Sequence, residues 1–485
     1  MKKYILAIDQ GTTGTRANLY NHQGQIVGTA YQEFTPYFPK PGWVEHDADE
    51  IWQSVLSTIK KATAKINKKE IAAIGITNQR ETTVIWDKKT GKPLHRAIVW
   101  QCRRTADVCD KLKRNQKLVN LVRNKTGLVI DAYFPATKIA WLLKKIKRTD
   151  ICFGTIDSWL VYQLTGRERH VTDYTNASRS MLFNIRTKKW DEELLKIFKV
   201  PKNILPQVVH SSGVAGLTKK LSVLPDGIAI SGMAGDQQAA LFGQTCFTKG
   251  SGKNTYGTGC FLLVNTGQDF VISKNGLLTT LACDMKGNPC YALEGAVFIG
   301  GAVMQWIRDG LQILPKASLS EKISKSIKDT GGVYLVPAFV GLGAPYWNPT
   351  ARGAIVGITR GTSQKEIIRA GLESIAYQSA EVIDLMRKET GLSIKNLQVD
   401  GGAVSNNFLM QFQADLLGGK ILRPENTETT SLGAAYLAGL GVGFWKNSDE
   451  LKKYHRIEKI FKSKITFQKQ RLLMDAWKQA VARVL

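Results

Sequence analysis

Asp9-Gln10-Gly11-Thr12-Thr13-Gly14-Thr15-Arg16 decides the fold. The stretch before it, Tyr4–Asp9, is an apolar run that ends in an acid. After it, Arg16–Tyr20 and Gln25–Phe34 alternate as strands, divided by a turn at Asn21–Gly24. An acid at a strand end, a turn rich in Gly and Thr, and then a basic residue suit phosphate. Glycines let the backbone approach phosphate oxygens, and turn N–H groups and threonine hydroxyls can donate to them. Asp9 can hold the Mg²⁺ that accompanies ATP through water, because Mg²⁺ keeps much of its hydration. Arg16 offers charge to a transferring phosphoryl group.

The pattern continues outward as an α/β chain. Asp47 and Asp49 offer N-caps to a helix from Ile51 to Ile66, and Ile71–Thr77 reads as a buried strand. Asn254–Gly257, a Gly-Thr-Gly turn and Cys260–Asn265 repeat the strand–turn–strand unit in the second half. Further strands are expected at 277–283, 291–293, 333–336, 354–358 and 397–400. Helices are expected after Gly300-Gly301 through Leu311, and over 364–389, 405–417 and 430–444. A third glycine turn, Asp400-Gly401-Gly402-Ala403-Val404-Ser405-Asn406, joins a strand to a helix whose N-terminus favours anionic groups. The chain therefore reads as two α/β domains, 1–246 and 247–485, related by a weak duplication.

Composition narrows the function classes. A chain of 485 residues with 43% hydrophobic residues is globular and long enough for two cores. No run is long enough to span a bilayer, and the apolar start is too short for a secretory signal, so a cytoplasmic protein is expected. Seven scattered cysteines with no C-x-x-C pair point to reduced thiols rather than disulfides or zinc. The six histidines have no metal-ligand spacing. The net charge is +27, but the lysines are dispersed in small groups without interleaved aromatics, so no specific nucleic acid is expected. There is no G-x-x-x-x-G-K-[ST] and no protein-kinase signature set.

These three turns, in this order, resemble the sugar-kinase/actin/hexokinase ATPase superfamily, and the detail resembles the FGGY carbohydrate kinases that act on glycerol. The resemblance runs from Met1 to Trp445 and rests on PKPGWVEHD (39–47), GITNQRET (75–82), IVWQCRRTA (98–106), YFPATKIAWL (133–142), FGTIDSWL (153–160), VTDYTNASR (171–179), GDQQAALFGQ (235–244), KNTYGTGCF (253–261) and DGGAVSNNFLMQFQADLLG (400–418). It implies two actin-like, ribonuclease H-like ATPase domains with mixed sheets flanked by helices and the active site in the cleft between them. It implies a transferase moving a phosphoryl group from ATP to glycerol, with Mg²⁺. Arg80, Glu81 and Tyr133 match residues that bind the polyol hydroxyls, and Trp100 and Phe261 match those flanking its carbon backbone. Asp236 matches the base, with Gln237 beside it on the substrate and Asp9 sharing the metal. Thr12, Thr13, Gly14, Arg16, Thr258, Gly301, Gln305, Gly402 and Asn406 match nucleotide contacts. Relatives are usually dimers or tetramers, which implies a homodimer or homotetramer.

The chemistry of those residue types agrees. A buried polyol needs donors and acceptors in excess, because unpaired polar groups are costly there. Adjacent Arg80 and Glu81 supply both in charged form. Asp236 is read in a Gly-Asp-Gln turn between the domains, where a carboxylate can take the proton of an attacking hydroxyl. Alone, each has a bland reading: a surface ion pair, a core aromatic, a capping acid. A ketose or pentitol kinase, and an actin-like polymer, are the alternatives.

Three departures stand out. Gly14 occupies a place where the family commonly has serine, which removes one hydroxyl donor. Gly371 is smaller than the second family signature expects. Leu217–Gly227 carries neither the Gly-rich basic loop that binds fructose 1,6-bisphosphate in some relatives nor the histidine phosphorylated by the phosphotransferase system in others. Both forms of regulation are expected to be absent.

Overall fold

Ile5, Leu6, Ala7 and Ile8 are all buried, so the strand they form is covered on both faces. In the computed structural model, which describes residues 2–348 and 350–485, that strand is β1 (Tyr4–Gln10). It lies near the middle of a six-stranded sheet with β2 (Gly14–Tyr20), β3 (Ile26–Glu33), β4 (Ile71–Asn78), β5 (Ser212–Leu217) and β6 (Ala229–Gly235). The order is β5-β6-β4-β1-β2-β3. β1, β2 and β3 form an antiparallel meander, β4 and β6 extend it in parallel, and β5 closes the edge antiparallel.

The second sheet repeats this plan. It contains β7 (Gly252–Tyr256), β8 (Cys260–Gly267), β9 (Leu278–Cys283), β10 (Pro289–Val297), β11 (Asn396–Asp400), β12 (Lys420–Pro424) and β13 (Ile457–Lys462). Its order is β9-β10-β8-β7-β11-β12-β13. β10, β8 and β7 are the meander, β11 and β12 the parallel pair, and β13 the antiparallel edge, with β9 added outside β10. The duplication suggested by the two glycine turns thus extends to strand order and direction.

The helices differ from expectation mainly at their ends. α1 (Ala48–Ala62) is capped by Asp47 as expected but stops at Ala62, where the Thr63 hydroxyl bonds back to the Ile59 carbonyl. α2 (Asp236–Gly243) places Asp236 as its first residue, so this carboxylate starts a helix rather than occupying a turn. α3 (Ala302–Asp309) ends before Leu311. α4 (Gln364–Thr390) carries a capping box at Ser363 and Glu366. α5 (Asn407–Leu417) starts two residues late, because Gly402–Ser405 forms a 3-10 turn and Asn406 is the cap. α6 (Thr429–Gly441) stops three residues short of the expected Phe444.

α2 and α6 exchange sides. α6 follows the second sheet's β12 in sequence, yet it packs on β1, β4 and β6 of the first sheet. α2 follows β6 but touches β7, β8 and β9 of the second. Leu241 on α2 joins a core with Leu263, Ala282 and Ala292, while Leu432, Ala435 and Leu437 join one with Ile5, Ala7 and Ala73. The helices cross where Gly433 meets the Ala239 carbonyl and Gly243 meets the Thr429 carbonyl. Neither position has room for a Cβ, which is why backbones this close require glycine on both sides. All seven cysteines are buried and unpaired. Among the described residues no helix is long and apolar enough to cross a membrane.

Candidate active site

Both glycine turns close as tight hairpins. Gly11 N donates to Gly14 O at 2.9 Å, and Gly257 N donates to Gly259 O at 2.9 Å. The first is braced by Gln79, whose side-chain amide donates to Gln10 Oε1 (3.0 Å) and Gly11 O (3.1 Å). Because Gln79 immediately precedes Arg80, this brace links the phosphate turn to the expected polyol residues. A second link is the Trp100 indole N–H, which donates to Thr12 Oγ1 at 2.9 Å. Trp100 therefore ties the first turn to the expected polyol residues. Its ring also packs edge-on against Tyr133, centroids 5.4 Å apart.

Arg80, Glu81 and Asp236 come together as expected. Arg80 Nε lies 3.0 Å from Asp236 Oδ1 and 3.7 Å from Glu81 Oε1. Gly235 makes this approach possible, since a Cβ there would fall 2.6 Å from Arg80 Cδ. Asp236 Oδ1 also accepts from Gln237 N at 2.8 Å, and its side chain is 32% exposed, whereas Arg80 and Glu81 are buried. The Gly235 N–H donates to Thr175 Oγ1 (2.8 Å), and Thr175 in turn bonds Asp173.

Several residues here carried no assignment in the sequence. Glu294 of β10 accepts from Arg80 Nη1 (2.6 Å) and Nη2 (3.2 Å) and from Arg179 Nη2 (2.9 Å). Arg179 Nε also donates to Glu81 Oε1 at 2.8 Å. Burial raises the Glu294 carboxyl, but Arg179 and Arg80 outweigh it and hold it down at about 2. Burial raises Glu81, against the pull of Arg80 and Arg179. Lys138 donates to Glu81 O and Tyr133 O, both at 2.8 Å, and burial brings its ammonium down to about 7. Lys253 donates to the Gln237 amide oxygen, to Thr255 Oγ1 (2.8 Å) and to Phe261 O (3.2 Å), so it joins two expected substrate residues. Burial brings it down to about 8, opposed by Asp400 and Asp236. Arg179 and Lys253 lie inside the matching stretches, and Glu294 is a lone acid in the apolar strand YALEGAVF. That lone charge in a buried strand was the available signal.

The nucleotide residues are spread along the two halves. Thr12, Thr13 and Gly14 form the first turn. Arg16 pairs with Glu428, at the start of α6. The Thr258 carbonyl accepts from Gly300 N (2.7 Å) and Ala302 N (3.2 Å), and Gly257 O accepts from Gly301 N (2.8 Å), which seats α3 against the second turn. Gln305 is exposed one turn along α3. Gly401 has φ +90° and lies against the Tyr256 backbone, so the third turn docks on the second hairpin. Gly402 faces open space, as a position approached by a ligand should. Asn406 is committed within the fold, accepting from Leu409 N (3.0 Å) and donating to Ser320 Oγ (3.2 Å).

Asp9 and Asp236 act on each other electrostatically. Burial, then Asp236, then Glu428 raise the Asp9 carboxyl to about 7, with Arg16 opposing. A divalent cation between the two acids would relieve that repulsion. No cluster of three or more His, Cys, Asp or Glu able to hold a metal occurs among the described residues. Two carboxylates suit Mg²⁺, which retains waters and takes phosphate oxygens as its other ligands.

The sequence profile of the FGGY family of carbohydrate kinases matches in two parts, the N-terminal domain over residues 4–243 and the C-terminal domain over 252–442. The chain is similar to the glycerol kinase of Carboxydothermus hydrogenoformans, 56% identical over 491 residues, covering 99% of this chain and 98% of the relative. It is likewise similar to the glycerol kinase of Shewanella halifaxensis, 55% identical over 493 residues and covering 99% of each. Among solved structures it is similar to Plasmodium falciparum glycerol kinase with ADP, at TM-score 0.93 and 38% identity, covering 99% of this chain and 98% of that one. Gluconate kinase from Lactobacillus acidophilus shares the fold at TM-score 0.89 and 24% identity, covering 99% of each.

Proposed function

The chain belongs to the FGGY family of carbohydrate kinases, and from that membership we propose that it converts glycerol and ATP to sn-glycerol 3-phosphate and ADP, with Asp236 as the general base. The observation that carries the reading is the Arg80 guanidinium beside Asp236, held in a buried network with Glu81, Arg179 and Glu294. Such a network offers charged donors and acceptors to several hydroxyls at once. Two glycerol kinases more than half identical over nearly the whole chain support the substrate.

Asp236 accepts the proton of a terminal hydroxyl as that oxygen forms its bond to the γ-phosphorus. The bond from the γ-phosphorus to the β–γ bridging oxygen breaks, and ADP leaves. Arg80 and Glu81 orient the hydroxyls, with Tyr133 beside them, and Trp100 and Phe261 enclose the C–H face. Gln237, held by Lys253, completes the pocket. Thr12, Thr13, Gly14 and Arg16 grip the phosphates from one half, and Thr258 and Gly301 from the other. Gln305, Gly402 and Asn406 border the adenosine. Positioning and neutralisation supply most of the rate, because phosphoryl transfer leaves the protein little covalent work. Asp9 and Asp236 would hold Mg²⁺, which would neutralise phosphate charge.

We further infer a division into domains 1–246 and 247–485 that close on substrate and exclude water, a cytoplasmic location, a homodimer or homotetramer, and no control by fructose 1,6-bisphosphate or the phosphotransferase system. The test of the function is ADP release coupled to glycerol, with xylulose and gluconate as competing acceptors. Glycerol should give the highest kcat/KM, and Asp236→Ala should lower kcat by about 10²–10⁴-fold while nucleotide still binds. A variant as active as the wild type would remove Asp236 from the role of base. A preference for xylulose or gluconate would replace glycerol as the acceptor.

A further inference from the structure

Gly14 is not glycine for the sake of its backbone, since it is absent from the positions with left-handed φ. The space beside it is occupied by Tyr31 and Gln32. A Cβ on it would lie 2.6 Å from the phenol oxygen of Tyr31 and 2.7 Å from Tyr31 Cζ, with Gln32 O also at 2.7 Å. The end of the Tyr31 side chain therefore stands where a side chain at position 14 would project.

Sheet geometry explains how Tyr31 gets there. In the antiparallel β2–β3 pair, Arg16 lies opposite Tyr31 and Gly14 opposite Glu33. Cross-strand partners share a face, so Gly14, Arg16 and Tyr31 project to one side. Thr15 projects to the other, where its hydroxyl meets Ser54 of α1 at 2.6 Å. Tyr31 reaches diagonally past Gly14 to the tip of the turn, and its hydroxyl lies 3.3 Å from Thr13 Oγ1. The Arg16 guanidinium sits 5.4 Å from the Tyr31 ring centroid and fixes the ring from below. Arg16 is in turn paired with Glu428. Tyr31 remains 45% exposed.

We propose that Tyr31 is a phosphate-contacting residue: its phenol hydroxyl, beside Thr13, donates a hydrogen bond to the polyphosphate of the bound nucleotide. It supplies from the neighbouring strand the hydroxyl that Gly14 lacks. A phenol is a stronger donor than an aliphatic hydroxyl, and it reaches the turn without adding atoms to its backbone. The proposal rests on ATP being the phosphoryl donor.

The test compares wild type, Tyr31→Phe and Tyr31→Leu in the full chain. Dissociation constants are measured by calorimetry for a non-hydrolysable ATP analogue and for AMP, together with KM for ATP and for glycerol. Tyr31→Phe keeps the ring on Arg16 and removes only the donor. It should weaken the ATP analogue about tenfold, the scale of a hydrogen bond to a charged group, and raise KM for ATP. AMP affinity, KM for glycerol and the melting temperature should be unchanged. Tyr31→Phe equal to wild type while Tyr31→Leu weakens binding would overturn the proposal, leaving the ring as a prop for Arg16. Equal loss for AMP would also overturn it, because the contact would then not be to the polyphosphate. A wild type that binds no ATP analogue would instead strike at the kinase reading itself.

Discussion

Lys253 is the residue whose chemistry goes furthest beyond its position in the sequence. It is buried, and it donates to Gln237, Thr255 and the Phe261 carbonyl. Burial brings its ammonium from 10.5 down to about 8. As pH rises through 8 the charge is lost in the folded protein, and the bonds that hold Gln237 and Phe261 weaken. KM for glycerol should therefore climb above pH 8 in the wild type. In Lys253→Met it should be raised roughly tenfold at pH 7, the scale of a lost charged hydrogen bond, and show no such climb. Steady-state kinetics from pH 6.5 to 9 decide this.

Asp157 carries a prediction about stability rather than substrate binding. It is fully buried and accepts hydroxyls from Thr155 and Thr172, and burial together with Asp173 raises its carboxyl from 3.8 to about 7. The folded state therefore holds a proton that the unfolded chain releases between pH 4 and 7, and stability falls as pH rises through that window. Asp157→Asn removes the titration. Relative to wild type it should gain on the order of 4 kcal/mol between pH 4 and 7, and the difference should be flat above 7. Urea unfolding at pH 4.5, 6 and 8 measures it.

At the scale of elements, the crossing of α2 and α6 carries the most weight. Asp236 is the first residue of α2, and Arg16 reaches Glu428 at the start of α6. The helices that join the two sheets thus also aim the proposed base and one residue of the first glycine turn's hairpin. Their approach depends on Gly433 against the Ala239 carbonyl and on Gly243 against Thr429. A methyl group at either position must separate the helices. Gly433→Ala should cost about 1–3 kcal/mol through overpacking, despite alanine's better helix propensity. Because α2 shifts with it, kcat should fall as well. Thermal melts and kcat on one preparation separate the two effects, and a variant at least as stable as wild type would contradict this packing.

On the scale of the whole molecule, the buried ion network ties the halves together at the proposed substrate site. Glu294 belongs to the second sheet, while Arg80, Glu81 and Arg179 belong to the first half. Glu294→Gln leaves two buried guanidinium groups facing a neutral amide. Breaking a buried pair in this way costs about 3–5 kcal/mol, and KM for glycerol should rise in parallel. Denaturant midpoints with and without glycerol provide the check: ligand should stabilise the variant less than the wild type. The charge of +27 acts at the same scale but without direction. Any retention on duplex DNA should be indifferent to sequence and fall steeply between about 50 and 200 mM salt.

The sequence alone determined the glycine turns, the α/β plan, the duplication and the stretches that carry the proposed polyol residues. Glycine and hydroxyl spacing within eight consecutive residues is local chemistry, and the turn closes locally through Gly11 N to Gly14 O. Only the tertiary structure decided what fills the space around those residues. Arg80 and Glu294 are 214 residues apart, and Arg179 and Glu81 are 98 apart. Their pairing follows from burial, which takes away water and leaves charged groups few partners but each other. The start of α2 at Asp236, the exchange of α2 and α6, and the tyrosine standing over Gly14 have the same origin. Close backbone approach and cross-strand position settle them, and neither is written in any single stretch of the chain.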